Sequence, residues 1–394
     1  FTPIAERHSA ITASLSLSNT FTVSSGSFDP STGTVTAAGT GAQAWDFATT
    51  ETLNLFTVNK TSGGAVNVAS GDTLIVTSTL TLTDGNLNGS GTVDARSNIS
   101  QASTFDGGGG LLDFGDNGVV QTYTVNGGSG PHLRLDSASD ANDIVTFAAA
   151  GGFDTFEVTS GFSGTIPISN ASNFTLTFLD WTQAAGTIDA SAQSAWVFDD
   201  FNHSGGTFTA PTLITATSNA VAWDLPTTDT FNQFTVNKTS STALSIGSGD
   251  TLVVSGLLTL TDGAISGSGA LDAKANISQT SGFDGGTLIL NFADNAVAQT
   301  YTAAGGQTPN ITFDHASDAN DNINITAATT FDAYTITSGF SGTVPLTNSS
   351  NFTLTFTNYT QAAGTYDASS QSAWTMVDFD ITGGTLTMPT TVTA

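Results

Sequence analysis

The chain has 394 residues, ample for a large core. Its six Lys and Arg against 33 Asp and Glu give a formal net charge of −27. That field repels phosphate, so neither nucleic acid nor an anionic membrane surface is expected as a partner. Cysteine is absent, which removes disulfides and thiolate metal sites, and no run of 18 apolar residues occurs, so no membrane insertion is expected.

Taken in chain order, the pattern is extended throughout. Ile11, Ala13, Leu15, Leu17, Phe21 and Val23 all fall on odd positions among Ser, Thr and Asn, the period of a half-buried strand. Thr73–Val76 and Leu80–Thr83 predict short strands, bounded by Gly71-Asp72 and Asp84-Gly85. Phe174, Leu176 and Phe178 alternate with Thr175 and Thr177. Turns made of Gly, a small residue and one apolar residue recur at Phe28, Leu87, Ile188, Phe208, Ile265, Tyr366 and Leu386. Ile188 to Phe208 and Tyr366 to Leu386 each span 20 residues, about the length of one coil of a solenoid.

A longer period encloses the short one. Ala44-Trp45-Asp46 returns as Ala222-Trp223-Asp224, and Phe56–Ser62 returns as Phe234–Ser240, both 178 residues on. Residues 44–216 align with 222–394 without a gap at about 60% identity. The expected organisation is a lead-in at 1–43, one repeat at 44–221 and a second at 222–394.

These features predict an all-β chain, a right-handed parallel β-helix (β-solenoid) of about 16–19 coils carrying two tandem 178-residue repeats. Tandem β-sandwiches are the alternative. The phrases Phe56–Lys60, Gly71–Leu74 and Leu80–Gly85, with their second copies, resemble the repeats of secreted bacterial and archaeal surface proteins and autotransporter-type adhesins. That resemblance covers most of 19–394. It implies an extracellular protein of the cell surface, serving as adhesin, stalk or filament subunit.

Chemistry is sparse. Hydrolases on parallel β-helices resemble one another through clustered Asp with Gly-His-Gly and Arg-x-Lys elements. Here no Gly-His-Gly exists, and Arg7, Lys60, Arg96, Arg134, Lys238 and Lys274 are scattered, so no enzyme is expected. Asp136, Asp140, Asn142 and Asp143 recur as Asp314, Asp318, Asn320 and Asp321. They offer oxygen ligands for calcium or, alternatively, solvated Asx-capped turns; no other cofactor is expected. The aromatics that recur in register, Trp45/Trp223, Trp196/Trp374 and Trp181/Tyr359 among them, are expected in core packing; the alternative is exposed rings that stack on surface glycans, for which Trp181, with Tyr359 in the copy, is the candidate. Asn59, Asn98, Asn173, Asn237, Asn276 and Asn351 stand in N-glycosylation sequons.

The two ends share one phase of the period, since 19–43 resembles 197–221 and Ala394 corresponds to Ala216. The expectation is a filament or stalk subunit that associates with copies of itself, head to tail. Ile11–Val23 would serve as the strand donated to a neighbour. A sugar-binding adhesin module is the alternative.

Overall fold

The computed structural model describes residues 14–170, 172–217, 222–239, 243–293, 297–348 and 350–394. The chain is nearly all β and winds as a β-solenoid of about 17 turns, not as sandwiches. It divides into two compact units, one of residues 1–196 with 202–208 and one of 197–201 with 209–394.

In the first unit each turn contributes short strands to separate parallel ladders. Leu74, Val93, Leu112, Leu133, Phe156 and Trp181 are successive register partners, so one turn takes 19 to 25 residues. A second ladder stacks Val35, Phe56, Leu80, Ile99, Tyr123 and Val145. All these side chains are at most 1% exposed. Period-two alternation drives the arrangement: one side chain of each pair points into the coil, and parallel register sets it on its equivalent in the next turn. Spacing between turns is then about 4.8 Å, close enough for continuous side-chain contact along the interior.

The second unit repeats the scheme with its own residues. Leu252, Leu271, Leu290, Ile311, Tyr334, Tyr359 and Phe379 form one register column. Phe234, Leu258, Ile277, Tyr301, Ile323 and Leu346 form another. The only helical elements among the described residues are two 3-10 turns, Ala138–Asn142 and Ala316–Asn320.

Polar side chains also enter the interior, and backbone carbonyls receive them. Gln101 Nε2 donates to Gly127 O at 2.8 Å, while the Tyr123 hydroxyl donates to Gln101 Oε1. Lys60 is fully buried, and its ammonium donates to Ala38 O at 2.7 Å. Burial lowers its pKa from the ordinary lysine value.

Where the chain leaves a strand between stacked turns, the close approach demands glycine. Gly89 has φ +96°, and a Cβ there would lie 2.1 Å from Val68 O; Gly267, its counterpart, has φ +106° and would meet Ile246 O at 2.0 Å. Gly71 also has positive φ but faces open space. Gly89→Ala is therefore expected to cost on the order of 3–4 kcal/mol, and Gly71→Ala about 1–2 kcal/mol, in denaturant unfolding. Equal costs at the two sites would contradict the inter-turn contact as the cause.

Candidate functional site

The residues singled out for assembly, stacking and metal binding fall in different settings. Ile11 and Ala13 lie outside the described residues. Leu15–Leu17 pairs in parallel with Thr34–Gly39, and Phe21–Val23 pairs with Gln43–Phe47. Phe21 is 0% exposed and packs edge-on against Phe28 and Trp45, so this segment is the first described turn of the solenoid. Phe21 and Val23 are thus buried in the chain's own core.

Trp181 and Tyr359 pack in the core and are not the exposed stacking rings for which they were the candidates. Each is 1% exposed. Trp181 stacks face to face on Phe156 at 4.8 Å and meets Phe178 edge-on at 5.0 Å. Tyr359 stacks on Tyr334, and its hydroxyl donates to Gln361 Oε1 at 2.8 Å. Alternation breaks within each strand. In Leu176–Gln183 two successive residues, Leu179 and Asp180, both face outward, and that shifts Trp181 to the inner side.

The six sequon asparagines are all exposed. Four of them work structurally: the side-chain carbonyls of Asn98 and Asn276 accept from Thr122 N and Thr300 N at 3.0 Å, and those of Asn173 and Asn351 accept from Ser194 N and Ser372 N. Each of these bonds joins one turn to the next.

The acidic loops are built on capping. In Ala138–Asn142, Asp140 Oδ2 accepts from the backbone of Asp136 at 2.8 Å and Ser137 at 2.9 Å, while Ser137 caps Ser139 N. In Ala316–Asn320, Asp318 Oδ2 accepts from Asp314 N and His315 N, and His315 Nδ1 replaces the serine cap. Asp143 and Asp321 turn away from these turns and accept from Gln121 N at 2.7 Å and Gln299 N at 2.8 Å. Asn142 and Asn320 are exposed, and Asn142 Nδ2 donates to Ser139 O. The proposed ligand quartets are therefore not brought together as sets. A different trio is: Asp116, Asp136 and Asp140 place one carboxylate oxygen each within 4.8 Å of one another. The sequence displays Asp116 twenty residues upstream, and only the register between turns makes it a neighbour.

Beside that trio runs a column of charge. Asp94, Asp113, Arg134 and Glu157 are successive register partners. Arg134 donates to Asp113 at 2.8 Å and forms an ion pair with Asp136 at 3.1 Å, Arg96 donates to Asp94 at 2.9 Å, and His132 meets Glu157 at 2.8 Å. Burial pushes Asp113 up to about 7 despite its arginine partner. The equivalent column of the second unit is Asp272, Asn291, Thr312 and Thr335, in which Asn291 Nδ2 donates to Asp272 Oδ1 at 2.9 Å. The ladder accepts either an ion pair or an amide at the same place.

Comparison with protein-family models, with curated proteins and with solved structures finds no match to this chain.

Trp181→Ala removes a buried ring and is expected to cost about 3–5 kcal/mol in unfolding free energy; loss of a surface ring would instead leave stability unchanged. Asp143 and Asp321 are each pushed up to about 6 by burial, which outweighs the backbone hydrogen bond that each accepts. Their folded pKa exceeds the unfolded one, so the native state holds the proton more tightly and stability falls as pH rises from about 4 through 6. The chain should thus melt at a higher temperature at pH 4.5 than at pH 7.5. Asp143→Asn with Asp321→Asn should remove on the order of 2 kcal/mol of that difference per site. An unaltered pH slope in the double variant would contradict the assignment.

Proposed function

We propose that the protein is a structural, non-catalytic subunit of an extracellular cell-surface filament or stalk, in which copies stack end to end and each continues the coil of the last. The observation that carries this reading is the in-register parallel ladder, in which each turn is paired on both sides with turns of the same kind, so the same pairing can run from one copy into the next.

Within the second unit Ile214 pairs with Phe234, and Phe201 packs against Trp223 at 5.3 Å. The sequence that provides this cover, Ala-Trp-Asp followed by Phe-Thr-Val-Asn-Lys, stands twice in the chain, at 44–60 and at 222–238. A second copy thus carries the chemistry that covers a turn of the first. Burial of Trp181 and Tyr359 removes the rings on which the sugar-binding alternative rested.

Net charge opposes such stacking, so assembly should strengthen as salt screens the acidic surface. Concentrated protein at physiological salt is expected to form filaments in negative-stain micrographs and large species in sedimentation. Parental protein that stays monomeric at every salt concentration would overturn the reading.

A further inference from the structure

The carboxylates of Asp116, Asp136 and Asp140 come from two successive turns of the first unit. Asp116 lies in the loop after Leu111–Phe114 and is exposed, which leaves the cluster open to solvent on one side. Ser139 Oγ donates to Asp116 Oδ1 at 3.0 Å and so fixes the loop against the next turn. Arg134 Nε meets only Oδ2 of Asp136.

Asp140 is the informative member. The residue is 0% exposed, and its Oδ2 is taken by two backbone N–H groups. Its Oδ1 is closed off from solvent and has no hydrogen-bond partner among the described residues. Leaving such an oxygen unsatisfied is costly, the more so when it carries charge, so an unpartnered carboxylate oxygen at this depth points to a cation.

The internal duplication supplies an independent comparison. Asp116, Asp136 and Asp140 return as Asp294, Asp314 and Asp318, whereas the adjoining pair Asp113 and Arg134 is replaced by Asn291 and Thr312. The ion pair is lost as a unit. The formal charge of three carboxylates is unchanged by the exchange.

We propose that Asp116, Asp136 and Asp140 bind a divalent cation, calcium by its preference for several oxygen ligands in a flexible shell, and that the ion ties the 115–120 loop to the following turn. Asn142 and Asp143 take no part. The proposal concerns a single subunit and does not depend on end-to-end assembly.

The test uses the 394-residue chain in an Asp294→Asn background, stripped with chelator and titrated calorimetrically with CaCl₂ and, separately, MgCl₂. Calcium should bind with one site per chain, more tightly than magnesium, and raise the melting temperature. Asp116→Asn should weaken calcium binding at least about tenfold with the circular-dichroism spectrum unchanged. Asp113→Asn with Arg134→Thr, which installs the pair found in the other copy, should retain binding. Absence of heat and of a melting shift up to about 10 mM calcium would overturn the proposal. So would calcium binding undiminished in Asp116→Asn, which would mark diffuse attraction to an acidic surface.

Discussion

Parallel hydrogen bonding in register between successive turns is the constraint on which everything else here depends. It sets residue upon equivalent residue, so an inward leucine meets another inward apolar group and an outward threonine meets another outward polar one. Leu74, Val93, Leu112 and Leu133 show the apolar case, and Asp94, Asp113 and Arg134 the charged case. A turn of 19 to 25 residues buries little by itself. Its stability comes from neighbours on either side, which makes an uncovered turn an adhesive surface.

The same stacking explains how two copies can differ without cost to the fold. Along the outward column, Asp113 with Arg134 in one copy answers to Asn291 with Thr312 in the other. In the second copy Asn291 donates to Asp272, its register partner on the other side, so the column still holds a bond between turns. Ser137 and His315 illustrate the point on a smaller scale, since either side chain caps its 3-10 turn. The backbone ladder specifies the fold, and the outward positions are free to vary in chemistry.

Much of this architecture is legible in the sequence. Period-two alternation, glycine punctuation and a 20-residue spacing lead to a solenoid, because they are direct consequences of pleat, turn and coil length. Trp181 was not legible in the same way. The rule that places Phe178 inside places residue 180 inside too, and only the corner at Leu179–Asp180 reverses the phase. Lys60 and Gln101 defeat pattern reading for another reason: their inward ends are satisfied by carbonyls of adjoining turns, contacts that no local window contains. The Asp116–Asp140 pairing is hidden likewise, for it exists only once the register is known.

Register itself can be measured directly, because the chain has no cysteine of its own. Thr124 and Thr146 are register partners on adjacent turns, and both are partly accessible. At about 4.8 Å between strands, cysteines at these two positions fall within the Cα separation that a disulfide spans. Thr124→Cys with Thr146→Cys should oxidise readily to an intramolecular disulfide in the folded protein. Thr124→Cys with Ile144→Cys, two residues out of register, should not. Equal cross-linking of both pairs, or of neither, would contradict the parallel in-register stack.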